Sequence, residues 1–143
     1  MLPSPFTLLS VRRPWVSNWS VNEQCSFFWR VYFNDRMGAE VTCEEGDPVA
    51  ILPNFVYLIP RGTTFRGGST VALRHGYFHF HTSWRADPGI YRIPTTGKLG
   101  EAVDFFLRSD HFRIDSPETV FTAYFMLCQI FQRLGNGHFR FDP

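Results

Sequence analysis

The hydrophobic period of the sequence changes near residue 95, and this change limits the folds that the chain can adopt. Before that point, clusters of Gly, Pro, Asn and Asp interrupt short apolar or alternating runs, a pattern typical of β-strands joined by turns. The runs cover residues 6–11, 24–34, 39–44, 49–52, 55–59, 70–73 and 77–84, and residues 66–69 form one of the predicted turns. No segment between the runs holds the helical crossover of about a dozen residues that parallel pairing needs. We therefore expect about seven or eight antiparallel strands in a sandwich or barrel.

The apolar residues after position 95 recur with the period of an α-helix. A first helix of about three turns is predicted over residues 99–109. Its apolar face holds Leu99, Val103, Phe106 and Leu107. A second helix is predicted over Pro117–Leu134, because Ser116 suits the N-cap, Pro117 the first helical position and Gly135 the C-terminal end.

The second predicted helix carries an apolar arc that is wider than docking on one sheet requires. One stripe follows the spacing of a coiled-coil seam: Val120, Tyr124, Leu127, Phe131 and Leu134. A second stripe runs beside it through Phe121, Phe125 and Cys128. Two interpretations stay open. The helix is wedged between the sheet and a neighbouring helix, or the first four residues of the seam form a dimer interface.

Charge and composition exclude several classes of protein. With 14 basic and 13 acidic residues the net charge is +1, so no global field attracts the chain to nucleic acid. A hydrophobic content of 44% excludes intrinsic disorder, and no apolar run approaches the ~18 residues of a membrane span. The N-terminus lacks the basic and apolar regions of a secretion signal. We interpret Cys25, Cys43 and Cys128 as reduced structural thiols in apolar surroundings, which indicates a cytoplasmic protein.

Residues 54–65 carry the most specific motif and resemble the second conserved motif of cupins. The five marked positions of that motif are occupied by Asn54, Pro60, Gly62, Phe65 and Ser69. Pro60 and Gly62 match the motif, whereas Phe65 replaces its metal-binding His. Phe28 falls where the Glu of the first cupin motif would stand. The resemblance therefore implies a cupin that has lost its metal ligands.

Such a cupin, followed by two helices, resembles the N-terminal effector-binding and dimerisation domain of AraC/XylS-type transcriptional regulators. The resemblance implies a mainly β fold with C-terminal helices. Residues 1–95 would form a double-stranded β-helix (a jelly-roll barrel), and residues 96–143 a two-helix dimerisation unit packed on it. It also implies a small-molecule effector, a homodimer, and neither catalysis nor a cofactor. Since residues 135–143 are too few for a helix-turn-helix, we expect DNA to be bound only through a C-terminal domain that this sequence does not contain.

The resemblance places the effector in the mouth of the barrel, among aromatic, Arg and Tyr side chains. The candidate ligand-binding residues are Trp15, Trp19, Phe28, Arg30, Tyr32, Tyr57, Phe65, His79 and His81. Two facings of Arg30 stay open: inward toward an anionic or hydroxylated ligand, or outward into solvent. Trp15 and Trp19 either belong to an N-terminal arm that closes over the effector or seal a sandwich edge. A sugar is one candidate effector, and a carboxylate or an aromatic molecule fits nearly as well.

Two other functions stay open as alternatives. The first is a metal-dependent cupin enzyme, an oxygenase or isomerase, that uses His79, His81 and a third ligand. The two imidazoles share one face of a predicted strand, but that face could equally be solvated or contact the effector. The second alternative is a non-catalytic, sugar-binding jelly roll. The sequence holds neither a Gly-x-Ser-x-Gly elbow nor a His-Glu-x-x-His pair, so we expect no enzyme of those two classes.

Overall fold

Strands make up 42% of the structure, and two α-helices follow most of them. The computed structural model describes residues 5–110, 112–135 and 140–141. The strands are β1 (Phe6–Arg12), β2 (Trp15–Val16), β3 (Trp19–Glu23), β4 (Trp29–Asn34), β5 (Ala39–Cys43), β6 (Val49–Ile51), β7 (Phe55–Ile59), β8 (Phe65–Ser69), β9 (Leu73–Thr82), β10 (Trp84–Arg85), β11 (Tyr91–Pro94) and β12 (Arg140–Phe141). The helices are α1 (Gly97–Arg108) and α2 (Pro117–Leu134). The prediction of a mainly β fold with two C-terminal helices is confirmed.

The described strands pair antiparallel, as predicted, and form two main sheets. The larger sheet has the order β1-β9-β4-β7-β11, with β2 also paired to β9, and the smaller sheet has the order β3-β8-β5-β6. The short strands β10 and β12 form a separate pair. Within the described residues no closed barrel is formed. The predicted barrel is therefore replaced by two open layers, each with its own edge strands.

The larger sheet is buried on both faces. All six residues of β4 are buried, and alternate side chains point to opposite layers. Val31 and Phe33 belong to an apolar cluster that includes residues of both helices. Tyr32 belongs to a second cluster, together with Val41 and Phe65 of the smaller sheet. The molecule therefore has three layers, with the larger sheet between the helices and the smaller sheet.

Helix α2 begins and ends where the sequence predicts. The Ser116 hydroxyl accepts a hydrogen bond from the backbone N–H of Thr119 (3.2 Å), and Gly135 stands at the C-cap with a positive φ of 71°. This confirms the predicted helix over Pro117–Leu134. Helix α1 starts earlier than predicted, at Gly97. In the part of the chain that the structure describes, neither helix is long and apolar enough to cross a membrane.

The coiled-coil stripe of α2 faces the interior of its own chain. Leu127 has no exposed surface, and Val120, Tyr124 and Phe131 are partly buried. The Tyr124 hydroxyl donates a hydrogen bond to the carbonyl oxygen of Phe6 on β1 (3.3 Å). This corrects the prediction that the stripe forms a dimer interface, because its side chains are occupied by contacts within the chain. The stripe that stays exposed holds Phe121, Phe125 and Cys128.

Strand β8 lies where the sequence predicts a turn. Gly67 and Gly68 stand in the middle of this strand, paired on one side with β3 and on the other with β5. A Cβ at Gly67 would lie 2.7 Å from the carbonyl oxygen of Glu40, and a Cβ at Gly68 would collide with the carbonyl oxygen of Trp19. The two glycines therefore permit a close approach of neighbouring backbones, not a hairpin.

The three cysteines are free thiols, but their surroundings differ from the prediction. Cys43 is partly buried, whereas Cys25 and Cys128 are exposed. Cys25 lies in a loop with a positive φ of 50°, and Cys128 lies on the outer stripe of α2. The prediction of apolar surroundings is therefore wrong for these two residues.

Candidate ligand-binding site

A cavity of about 330 Å³ lies between the two sheets, bounded by β4 and β9 of the larger sheet and by β3 of the smaller sheet. Aromatic side chains on its wall are Trp19, Phe28, Tyr32 and Tyr77. Other polar side chains on its wall are Ser20, Glu23, Arg30, His75 and His79. Small-molecule sites typically have volumes of about 300–1,000 Å³. The cavity therefore has the size of a site for one small ligand.

The antiparallel register of β4 and β9 explains why the polar side chains meet. Arg30 lies opposite His79, and Tyr32 lies opposite Tyr77. Because side chains alternate along a strand, these four residues share one face of the larger sheet, and His75 joins them from the same strand as Tyr77. The smaller sheet lies over this face, so the polar groups line a cleft between the layers.

Arg30 is 3% exposed and lines the cavity, which decides between its two predicted facings. Its Nη2 donates a hydrogen bond to Oε1 of Glu23 (2.7 Å), and its Nη1 donates to the Tyr32 hydroxyl (3.1 Å). The guanidinium carbon lies 4.7 Å from the ring centroid of Phe28 and 5.0 Å from that of Phe65. The buried Nε–H has no hydrogen-bond partner among the described residues. Since an unpaired buried donor is costly, the site has a hydrogen bond to offer a ligand.

Three titratable side chains beside Arg30 are uncharged near pH 7: His75, His79 and Tyr32. Burial, reinforced by His79, lowers the pKa of His75 to about 3. Burial, reinforced by Arg30, lowers the pKa of His79 to about 4. Burial also raises the pKa of the Tyr32 hydroxyl, an effect that Arg30 opposes. His75 Nδ1 lies 2.7 Å from Oδ1 of Asn34, so Nδ1 carries the proton and Nε2 is left as an acceptor.

Each cavity histidine is held against aromatic rings. The centroids of the Trp19 and His75 rings are 4.3 Å apart, and those of Phe28 and His79 are 4.4 Å apart. Tyr77 lies between the two histidines along β9, with its ring centroid 4.9 Å from that of His79. These contacts fix the orientation of both imidazoles, so their ring nitrogens are presented in defined directions.

The structure brings five of the predicted ligand residues to the cavity: Trp19, Phe28, Arg30, Tyr32 and His79. Phe65 is 2% exposed and packs beneath Arg30 in the core between the sheets. Tyr57 has no exposed surface, and its hydroxyl accepts a hydrogen bond from the backbone N–H of Leu52 (2.9 Å). The prediction that Phe65 and Tyr57 line the cavity is therefore corrected, because both are core residues, and the Tyr57 hydroxyl already has a partner.

Two further predicted ligand residues lie away from the cavity. Trp15 is 53% exposed on β2, where its ring stacks on the guanidinium of Arg36 at 4.9 Å. His81 is exposed near the end of β9, opposite Thr7 of β1. Its placement differs from that of His79 because the pairing of β9 with β4 ends at Phe80, so only His79 lies opposite a cavity residue of β4. The structure therefore corrects the prediction for Trp15 and His81.

The cavity residues that were not among the predicted ligand-binding residues include His75, Tyr77 and Glu23. The alternation of β9 carries a signal for the first two, since His75, Tyr77 and His79 occupy every second position. Glu23 has no local signal of this kind. It reaches Arg30 because β3 pairs with β8, with Glu23 opposite Phe65, at the edge of the smaller sheet.

The metal alternative requires a third ligand beside His79 and His81. In residues 5–110, 112–135 and 140–141, no three His, Cys, Asp or Glu side chains form a group that could hold a metal ion. The described residues therefore do not supply that third ligand.

Stability is expected to fall as the pH is lowered from 7 to 5. The pKa values of His75 and His79 are lowered to about 3 and about 4, below the ~6.5 of an unfolded histidine. Below pH ~6.5 the unfolded chain therefore binds more protons than the folded one, and stability is lost as the pH falls toward the folded values. Urea unfolding at pH 7, 6 and 5 measures this slope. His79→Gln should reduce the slope, whereas an equal slope in His79→Gln and in the wild type would contradict the assignment.

Comparison with known proteins identifies the fold. No protein-family model and no curated protein sequence matches the chain. Its fold is similar to that of ToxT from Vibrio cholerae, an AraC-family regulator. An apo variant of ToxT from strain SCE256 matches with a TM-score of 0.53 at 8% identity, and ToxT from strain O395 with 0.51 at 11%. Each match covers 92% of this chain and 56% of the ToxT chain, so the similarity is one of fold, with the N-terminal domain of ToxT.

Proposed function

We propose that this chain is the small-molecule-sensing and dimerisation domain of a transcriptional regulator. The observation that carries the proposal is the cavity around Arg30, whose buried Nε–H has no partner among the described residues. The similarity of fold to an AraC-family regulator supports the same role. The proposal contains no catalytic step and no cofactor. The domain acts in the cytoplasm, and DNA is bound through another domain of the regulator.

The strand order supports the cupin part of the resemblance. From β3 to β9 the chain crosses between the two sheets at every step except β5 to β6, with β4, β7 and β9 in the larger sheet and β3, β5, β6 and β8 in the smaller one. Jelly rolls, which include the cupins, are double sheets of about eight strands built in this way. Strands β1-β9-β4-β7 and β3-β8-β5-β6 supply four strands to each layer. We therefore assign the two layers to an open, cupin-type jelly roll.

A segment of the chain before β2 links the cavity to the helices. Pro14 lines the cavity, and its carbonyl oxygen accepts a hydrogen bond from the backbone N–H of His75 (2.9 Å). Nη1 of Arg13 donates to the carbonyl oxygen of Phe106 on α1 (3.2 Å), and its guanidinium lies 4.3 Å from the ring centroid of Phe112. In the proposed mechanism a ligand shifts this segment and, with it, the helices. Such coupling requires different affinities for the two arrangements.

The dimerisation part of the proposal uses the outer stripe of α2. Phe121 is 71% exposed and Phe125 is 39% exposed, although both are large apolar side chains, and Cys128 is exposed beside them. Adjacent exposed apolar side chains indicate an association surface. A second copy of the chain would cover this stripe. The interface thus stays on the predicted helix but moves from its inner stripe to its outer one.

Replacing Arg30 by methionine is expected to weaken ligand binding while the domain still folds. Hydrogen bonds to a charged group contribute about 1.5–3 kcal/mol, so the loss of Arg30 should weaken binding about tenfold to a hundredfold. Arg30→Met leaves Glu23 without its ion-pair partner. The Glu23 side chain is 37% exposed and can rehydrate, so the domain should still fold.

Thermal-shift screening tests this prediction with monosaccharides, small carboxylic acids and aromatic acids as probes. A probe at a hundred times its dissociation constant should stabilise the native protein by about 2.7 kcal/mol. The matched control is Arg61→Met, since Arg61 is exposed and does not line the cavity. The proposal fails if no probe stabilises the native protein, or if Arg30→Met binds the best probe as tightly as the control does.

A further inference from the structure

The charged side chains that line the cavity are Glu23 and Arg30, which form an ion pair of 2.7 Å. The Arg30 side chain is 3% exposed and the Glu23 side chain is 37% exposed, so the pair lies at the boundary between cavity and solvent. The imidazoles of His75 and His79 add no charge near pH 7. The cavity is therefore polar but carries no net charge.

The same groups offer a ligand both donors and acceptors. Two of the five guanidinium N–H groups of Arg30 donate to Glu23 and Tyr32, and Nε–H has no partner among the described residues. Glu23 binds Arg30 through Oε1, and Oε2 remains as an acceptor. The Nε2 atom of His75 is a further acceptor, since Nδ1 is bonded to Asn34. A hydroxyl group, which donates and accepts, complements such a mixed set better than a group that only accepts.

A ligand carboxylate would interact less favourably with these groups than a hydroxyl group would. It would compete with Glu23 for the guanidinium of Arg30, because that charge is already neutralised at 2.7 Å. It would also face the Glu23 carboxylate across a small cavity, and like charges in such a position disfavour binding. The aromatic rings of Trp19, Phe28 and Tyr77 provide apolar faces but no positive charge.

We propose that Glu23 determines the charge class of the ligand, so that the cavity accepts an uncharged, hydroxyl-bearing ring molecule and rejects its carboxylate analogue. This inference rests on the proposed function, since it concerns the ligand of the same cavity. Glu23 acts here as a negative element that excludes anions, while Arg30 supplies the donors that both classes of ligand would use.

The test uses pairs of probes that differ only in charge: aldohexoses and aldopentoses, each against its uronate or aldonate. Dissociation constants are measured by calorimetry for the wild-type protein and for Glu23→Gln. The wild type should bind the neutral member of a pair at least about tenfold more tightly, and Glu23→Gln should shift the preference toward the acid by about tenfold or more. Glu23→Asp, which keeps the charge, should retain the wild-type preference.

The matched control is Glu40→Gln, which removes the same charge from an exposed position on β5 of the same sheet. This variant should bind both members of a pair as the wild type does. Tighter binding of the acid by the wild type, or an unchanged preference in Glu23→Gln, would overturn the inference and leave the proposed function standing. Binding of only aromatic or aliphatic acids would likewise overturn the inference and leave the proposed function standing. Failure of every probe in both panels would overturn the proposed function itself.

Discussion

Replacing Leu127 by glutamate is expected to unfold the domain, not merely to separate two subunits. Leu127 has no exposed surface and belongs to the apolar cluster between the helices and the larger sheet. A carboxylate at this position would lose its hydration among apolar neighbours such as Met126 and Ile130, which are also fully buried. Unpaired burial of this kind costs several kcal/mol, comparable with the total stability of about 5–15 kcal/mol of a typical domain.

Circular dichroism and urea unfolding measure the effect. The wild-type protein should show a cooperative transition that the variant lacks at 25 °C. Phe121→Glu is the matched control on the same helix, because Phe121 is 71% exposed and points away from the core. It should keep the transition, and sedimentation should report a smaller assembly than the wild type if α2 forms the dimer. A folded Leu127→Glu would contradict the packing described for α2, and an unchanged assembly in Phe121→Glu would contradict the proposed interface.

The helices could be predicted from the sequence because their signals are local. The Ser116 side chain bonds within the first turn, Pro117 fixes a single φ, and Gly135 adopts the positive φ of 71° that ends the helix. None of these effects depends on what lies across the molecule. It was harder to predict which face of α2 packs against the core, since α2 has two apolar stripes. The layer against which it packs decides which stripe is inside, and that layer comes from distant strands.

The placement of the β-strands, in contrast, depends on distant residues. Strand β7 has an apolar run and was predicted with the bounds Phe55–Ile59. Strand β8 contains Gly67 and Gly68, which have no side-chain period, and it is held in place by pairing with both β3 and β5. A glycine pair is equally compatible with a turn and with a close approach of two backbones. The partner strands determine which of the two forms, and the local sequence does not show where those strands lie.

About half of the candidate site could be predicted from alternation and the resemblance to a family motif. Phe28, Arg30 and Tyr32 share one side of β4 and its preceding residues, and they line the cavity. The extent of the cavity along β9 could not be predicted, so His81 was included and His75 was left out of the ligand set. Glu23 belongs to this site only because the smaller sheet stacks on the larger one.

Replacing Gly76 by alanine is expected to destabilise the domain by about 1–3 kcal/mol, since it would overpack the core. Gly76 lies opposite Phe33 on the neighbouring strand, and the Phe33 ring covers the space that a side chain would need. An added Cβ would lie 2.6 Å from Cδ2 and 2.7 Å from Cζ of that ring, and nearer still to Cε2. Phe33 has no exposed surface, and its ring packs against Phe78 and Phe106 at centroid distances of 5.3 and 5.8 Å. The ring therefore has no free direction in which to move.

Urea unfolding of single and double variants distinguishes overpacking from a change in backbone entropy. Gly→Ala at a site without strain stabilises a protein by about 0.4–1 kcal/mol, so Gly46→Ala, whose Cβ would lie 3.4 Å from the Cys43 carbonyl oxygen, is the control. Phe33→Leu alone should destabilise the domain by leaving a cavity. In the double variant the added methyl group partly fills that cavity, so the double change should cost less than the sum of the two single changes. Additive costs would show that the Gly76 effect arises elsewhere than from the Phe33 ring.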